Sequence, residues 1–202
     1  MEIDITEESG DTIEFELEGV SAGFANSLRR TMVGNVPTLA IEEIRVTRNN
    51  SGLFDEILAH RLGMIPWEFD PDNYDIHEEC DCDDGCPECE VQMALQKEGP
   101  GTITASDISV PSEDVEPAKP ETKVADLKED GELDLEMTAY IGIGQEHAKW
   151  QAANTSYSYE DGTFHFKVES VSGLDPRTIV SKAVERLEED LEGFEESLEE
   201  NL

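Results

Sequence analysis

Four cysteines, Cys80, Cys82, Cys86 and Cys89, fall within ten residues in a C-x-C-x3-C-x2-C pattern, and the chain of 202 residues has no others. Thiolates this close in sequence read as a metal site rather than a disulfide framework. They can surround one ion tetrahedrally, with Gly85 and Pro87 helping the loop to wrap it. Zinc is the first expectation, since four sulfurs at about 2.3 Å satisfy it without redox chemistry. An iron–sulfur cluster uses the same number of ligands and stands second. The third reading, four free or redox-active thiols, sits badly with the surrounding acids. Negative neighbours raise a thiol pKa and make a poor nucleophile unless a cation is bound. His77 is at most an alternative ligand beside the cysteines. With sulfur in all four positions no site is left for a catalytic water, so the expected role is a structural staple.

No other residues nominate a catalytic centre. The sequence contains no Walker loop, G-x-G-x-x-G, H-E-x-x-H or G-x-S-x-G pattern. Gly142-Ile143-Gly144 followed by Gln145-Glu146-His147 suggests a phosphate loop with a base, but a properly spaced third glycine or lysine is missing. His147, Lys149 and Trp150 could be assigned acid–base chemistry, yet a lone histidine beside an exposed turn is more often structural. Carboxylates are so numerous that pairing two of them carries no information.

The elements that must position the cysteine loop are legible in part. Residues 12–18 alternate strictly and predict a strand with Ile13, Phe15 and Leu17 on one face. Ser21 is placed to cap a helix carrying Phe24, Leu28 and Met32, which Gly34 and Pro37 stop. Residues 40–48 read as a strand, and Asp55 as the cap of a short helix through Leu62 that Gly63 and Pro66 end. Residues 91–96, 132–141 and 163–170 read as further strands. Pro111, Pro117 and Pro120 among acids predict a mobile loop over 111–130. Asp175 and Pro176 open a long helix with Val180, Val184, Leu187, Leu191, Phe194 and Leu198 at steps of three and four, a heptad-like seam that needs a partner surface. Packing on the chain's own sheet is the plain alternative.

With 37% hydrophobic residues the chain can bury one or two cores. Its 49 acids against 14 bases give a net charge of -35. Periodic apolar segments argue against disorder. The acids are spread evenly, 24 in residues 1–101 and 25 in 102–202, which argues against an acidic tail or a nucleic-acid mimic. At molar salt the Debye length shrinks to about 3 Å and self-repulsion is screened. A salt-adapted cytoplasmic protein is therefore expected, with little or no direct DNA contact. No apolar run is long enough for a membrane helix, and no secretory leader is expected from Met1-Glu2-Ile3-Asp4. Residues 19–41 and 57–67 contain no acid, and 137–159 contain only Glu146. In so acidic a chain such windows are core or contact surface. Arg29 and Arg30 are adjacent, so both cannot lie on one buried face.

Ala25-Asn26-Ser27-Leu28-Arg29-Arg30-Thr31-Met32 resembles the opening dimerisation helix of the α-like subunits of RNA polymerase. Asp55-Glu56-Ile57-Leu58-Ala59-His60-Arg61-Leu62-Gly63-Met64-Ile65-Pro66 resembles a helix-turn that the family carries a few dozen residues later. Cys80 to Cys89 is similar in spacing to the zinc loop of the third-largest subunit of eukaryotic RNA polymerase II. Thr104-Ala105-Ser106-Asp107-Ile108 and Gly142-Ile143-Gly144-Gln145-Glu146-His147-Ala148-Lys149-Trp150 look like further segments of that family. The family spans archaeal α-like assembly subunits and the bacterial α N-terminal domain, and the chain is most similar to its archaeal branch.

The resemblance implies an α+β fold with a discontinuous α-like dimerisation domain, residues 1–46 and 161–202. An inserted, mainly-β domain, residues 47–160, would carry the metal loop 80–89. It implies a non-catalytic assembly subunit of DNA-directed RNA polymerase, a nucleotidyltransferase complex of transcription. Phe24, Leu28, Arg29, Arg30, Met32, Val184, Leu187, Leu191 and Phe194 would meet a smaller α-like partner, subunit L. His147, Lys149 and Trp150 would contact other polymerase subunits. Many archaeal members of the family carry a further ferredoxin-like insertion with an iron–sulfur cluster. No cysteine follows Cys89, so that cluster is not carried over. Two rival readings stand beside this one, a stand-alone zinc-stabilised adaptor and an iron–sulfur redox protein.

Overall fold

A computed structural model describes residues 1–82 and 85–201; Asp83 and Asp84, inside the expected metal loop, and Leu202 lie outside the described residues. The elements in chain order are β1 (Glu2–Ser9), β2 (Thr12–Glu18), α1 (Ala22–Gly34), β3 (Thr38–Asn49), α2 (Asp55–Gly63), β4 (Trp67–Glu68), β5 (Glu90–Glu98), β6 (Gly101–Thr104), β7 (Glu116–Pro117), β8 (Lys123–Leu127), β9 (Glu132–Gly142), β10 (Ala153–Glu160), β11 (Thr163–Ser170) and α3 (Pro176–Asn201). The fold is α+β and mostly sheet. Contacts gather into two compact units, one of residues 1–36 with 143–202 and one of residues 37–142. The breaks fall just before β3 and just after β9, so both strands stay whole.

In the first unit an antiparallel sheet runs β1-β2-β11-β10. The alternation read over residues 12–18 and 163–170 holds: Ile13, Phe15 and Leu17 of β2 and Phe164, Phe166 and Val168 of β11 are buried on one face. Phe15 and Phe166 stack with ring centroids 4.9 Å apart. Asp161 and Gly162, both at positive φ, make the two-residue turn between β10 and β11, a conformation suited to an Asp-Gly pair. Ser21 caps α1, its Oγ accepting from the Phe24 amide at 3.1 Å. The buried stripe of α1 is Ala25, Leu28, Thr31 and Met32, packed against α3 and β10.

The first strand carries no such reward. Every residue of β1 is exposed, Ile3 and Ile5 included. On the face away from the core it pairs acid with acid: Glu2 with Glu18, Asp4 with Glu16 and Glu7 with Glu14. Directly opposed like charges destabilise a sheet. One anchor works the other way, a two-pronged ion pair from Arg177 of α3 to Glu8 at 2.6 Å.

The second unit is built on a sheet ordered β3-β9-β5. Leu133, Leu135, Met137, Ala139 and Ile141 alternate along β9 and are buried, with Val91, Met93 and Leu95 of β5 beside them. Each large side chain removed from water contributes about 1.5–3 kcal/mol. Leu58 and Leu62 of α2 are also buried, as are Ile103 of β6 and Val124, Ala125 and Leu127 of β8.

Two expectations are corrected here. The N-cap of α2 is Phe54, without a side-chain cap bond, and Asp55 is the first helical residue. The Asp55 carboxylate instead accepts from Asn49 at 2.7 Å. Residues 111–130 are not a bare mobile loop: β7 pairs with β4 and β8 with β6, and Val115, Val124, Ala125 and Leu127 anchor the segment. The prolines signal breaks in the ladder, not lack of structure.

Candidate metal centre and subunit surfaces

The cysteine loop is held between two short 3-10 turns and the start of β5. The amide of Asp75 donates to the Glu88 carbonyl at 2.7 Å, and the Cys86 carbonyl accepts from the Cys89 and Glu90 amides at 3.0 Å each. Gly85 takes φ +86°, a conformation that favours glycine, as the chain turns into Cys86. Ile141 of β9 donates to the Cys89 carbonyl at 3.4 Å. The loop is thus tied to the central strand of its unit.

The four sulfurs lie within 4.8 Å of one another. Sγ of Cys80 is 3.7 Å from that of Cys86, Cys82 is 3.6 Å from Cys89, and Cys86 is 3.8 Å from Cys89. A tetrahedron with metal–sulfur bonds of about 2.3 Å has edges of about 3.8 Å. The residues therefore fit one tetrahedral ion. The amide of Glu88 leads the effects that hold the Cys86 thiol below its ordinary value, while burial pushes Cys89 up to about 12. A cation among the sulfurs reverses that preference, since a coordinating thiol is deprotonated outright.

His77 does not join the sulfur group. Its ring stacks on Tyr140 of β9, centroids 4.1 Å apart and nearly parallel, which pins the turn before Cys80 to the sheet. Burial is the main cause that raises the Tyr140 phenol to about 12, so this ring stays neutral.

The residues expected at subunit surfaces divide by exposure. Leu28 and Met32 are only 4% and 0% exposed and belong to the core of their own unit. Phe24 and Arg30 are exposed on α1, and half-buried Arg29 donates to the Asn26 side chain at 3.2 and 3.3 Å. Along α3 the inward stripe is Ile179 and Ala183, and Leu187 is half-buried. Asp175 caps the helix as read, accepting from the Arg177 amide at 2.8 Å. The seam turns outward from Val184: Leu191 is 69% exposed, Phe194 64%, and Leu198 is open too. Packing on the chain's own sheet therefore accounts for the first turns of α3 and not for the rest.

The segment around His147 is a turn fastened to the end of α1. Gln145 donates its amide to the Gly34 carbonyl at 3.0 Å, and a Cβ on Gly144 would stand 2.7 Å from the Val33 carbonyl oxygen, so only glycine fits. His147 accepts through Nδ1 from the Lys149 amide at 3.1 Å. Lys149 lies over the Trp150 ring at 4.2 Å, and desolvation lowers its pKa. Trp150 is buried. These three residues form a rigid knob: Trp150 is its base, with exposed His147 and half-buried Lys149 above it. Sequence reasoning did not find the exposed row along α2 and its C-cap (Ile57, His60, Arg61 and the C-cap Met64), although the acid-free window 57–67 marks it.

The family described as RNA polymerase Rpb3/RpoA insert domain matches residues 43–164. Among curated relatives, a protein named DNA-directed RNA polymerase subunit Rpo3 from Methanothermobacter thermautotrophicus is 39% identical over 163 residues, 79% of this chain and 62% of its own length. Proteins of the same name from Methanosarcina acetivorans and Pyrococcus horikoshii are 44% and 40% identical over 154 and 159 residues, covering 75% and 79% of this chain and 58% and 60% of theirs. The chain thus spans about three-fifths of the length of these relatives.

Proposed function

The chain belongs to the family of the RNA polymerase Rpb3/RpoA insert domain, and from that premise we propose that it is a non-catalytic assembly subunit of an archaeal DNA-directed RNA polymerase, the larger of two α-like chains. The observation that carries the reading is the outward apolar seam of α3. A helix that leaves Val184, Leu191, Phe194 and Leu198 in water within a chain of net charge -35 is built to be covered by another chain. The occupant is a smaller α-like subunit, subunit L. We take residues 1–46 and 161–202 as the dimerisation domain and residues 47–160 as the insert, close to the family match over residues 43–164, while the compact units divide after Val36 and Gly142. Phe24 and Arg30 on α1 and the knob of His147 and Lys149 extend the contact surface. Leu28, Met32 and Trp150 hold it from inside. Catalysis belongs to the large polymerase chains, and this subunit fixes their geometry from the cytoplasm of a salt-adapted cell.

Zinc is the ion that the four-cysteine site takes, because the sulfur spacing suits one tetrahedral ion and the donor set is all thiolate. The iron–sulfur alternative predicts visible absorbance and reversible bleaching by reductant. A colourless protein with one zinc per chain removes it.

The test is isolation of the tagged chain from its own cells in molar potassium chloride, with co-purifying chains identified by mass spectrometry. Recovery of a small α-like subunit with the two large polymerase chains is the expected result. A lone protein under the same salt would overturn the reading and favour the stand-alone adaptor.

A further inference from the structure

The four sulfurs reach their common site from two arms of chain that are fastened differently. Cys86 and Cys89 lead straight into β5: the Cys89 carbonyl accepts from the Ile141 amide at 3.4 Å, and Glu90 pairs with Tyr140 in the ladder. Cys80 and Cys82 follow another arm. Asp75 is bonded to the Glu88 carbonyl at 2.7 Å, and from there the chain reaches Cys80 through one 3-10 turn, His77–Glu79.

Side chains fix that turn to the sheet. Ile76 is buried, and the His77 ring lies flat on Tyr140 with 2° between their planes. Tyr140 does not belong to the inward face of β9, which Leu133, Leu135, Met137, Ala139 and Ile141 supply. It stands on the outward face with Asp134, Glu136 and Thr138, where core packing asks for no ring. Its phenol is hydrogen-bonded to Glu43, which fixes the ring from β3. Tyr140 therefore meets both arms: its backbone pairs with Glu90 and its ring carries His77. The Nδ1 atom of His77 is buried and finds no hydrogen-bond partner among the described residues. A buried nitrogen left unpaired is a cost, so the imidazole is held by its face and not by a polar bond at that atom.

We infer that Tyr140 and His77 are positioning residues of the metal loop. Their stack holds the Cys80–Cys82 arm at the distance from Cys86 and Cys89 that one tetrahedral ion requires, and so sets how slowly the ion is lost. The inference rests on the reading of the four cysteines as a metal site and is independent of the assembly reading. The stack acts on the closed loop alone, since it contributes nothing once the Cys80 arm has swung away. Residues that orient ligands without touching the metal commonly change its affinity by about 10–100-fold. The competing role for His77, an imidazole exchanging with a thiolate, needs its ring nitrogen, and His77 lies outside the sulfur group.

The test loads the full-length chain with zinc in molar potassium chloride and follows transfer of the metal to a chromogenic chelator. His77→Ala and Tyr140→Leu should each speed the loss about tenfold. The double variant should match either single one, because both remove the same contact. His77→Phe and Tyr140→Phe keep two stacked rings and should stay within about threefold of the original chain. Leu135→Ala cuts into the inward core of β9 without touching the stack. It should lower the melting temperature and leave the rate within about threefold. Loss as fast from Leu135→Ala as from His77→Ala would show that release follows the stability of the unit, and would overturn the positioning role. A His77→Phe chain as leaky as His77→Ala would overturn it as well, since the nitrogen and not the ring face would then matter. Zinc bound and lost at one common rate by every variant overturns this inference alone. A chain that takes up no zinc removes the metal site and the inference with it.

Discussion

The two units solve the problem of burial differently. The unit of residues 37–142 closes its own core: β9 is sandwiched between β3 and β5, its inward side chains are fully covered, and the cysteine loop is fastened to it by backbone bonds. The unit of residues 1–36 and 143–202 closes only at its centre. Phe15, Phe166, Leu28 and Met32 are sealed, while Ile3 and Ile5 at one sheet edge and the outer half of α3 stay open. The contrast separates a unit closed by its own packing, with four cysteines that could hold an ion, from one that leaves part of its apolar surface open. It also shows that equal acidity along the chain does not mean equal completeness.

The largest effect should come from the closed unit. Replacing Cys86 with Ser, or stripping the ion with chelator, should take bound metal from one per chain to near zero and destabilise residues 37–142 by several kcal/mol, since apparent binding energies of structural zinc reach roughly 10–16 kcal/mol. Metal analysis with hydrogen exchange resolved by unit reads this, and unchanged metal content would remove the site.

Next in size is a paired substitution in the open unit. Leu28→Asp should cost at least ~3 kcal/mol, because it places a charge in a sealed position. Leu191→Asp should leave the lone chain within about 0.5 kcal/mol of its original stability. It should nevertheless weaken pairing with the α-like partner by about 100-fold, ~2.7 kcal/mol. If both variants lose the partner only through unfolding, the distinction between core and contact face on these helices fails.

The smallest effect is a pH dependence in the closed unit. Lys97 pairs with Asp107 at 2.5 Å, and the Thr104 amide donates to the same carboxylate at 2.9 Å. Led by Lys97, these contacts hold the Asp107 pKa below its ordinary value of 3.8. The folded pKa is lower than the unfolded one, so the stabilisation is present above 3.8 and lost as pH falls through the folded value. Asp107→Asn should therefore lower the melting temperature slightly at pH 7 and flatten its dependence on acid below about pH 4. An unchanged acid limb would show that other carboxylates dominate it.

The sequence made some of this visible and hid the rest for physical reasons. The cysteine spacing, the alternation of β2 and β11 and the caps at Ser21 and Asp175 are local signals, and the structure carries them through. The direction of the seam on α3 was not local. Heptad spacing runs on past Val184, but which side meets the sheet is decided by Ile179 and Ala183, one step off the seam. Leu28 and Met32 read as interface because helix periodicity marks a buried face without saying who buries it. β1 escaped notice because its acids obscure the alternation of Ile3 and Ile5, and β8 because three prolines precede it.

The acid-against-acid pairing of β1 with β2 bears on how the protein must be handled. At 0.01 M salt the Debye length is about 30 Å, and at 1 M about 3 Å. The three facing pairs, Glu2 with Glu18, Asp4 with Glu16 and Glu7 with Glu14, therefore repel one another in dilute buffer, offset in part by Lys167 at 3.0 Å from Glu14, and scarcely at all in brine. With no buried side chain to hold it and the Arg177–Glu8 ion pair as its anchor, the first strand is expected to be where desalting begins to open the molecule, and its departure would bare the hydrogen-bonding edge of β2 to other chains. Loss of solubility on dialysis would then report the peeling of one strand, and restoring salt before aggregation sets in should recover the fold.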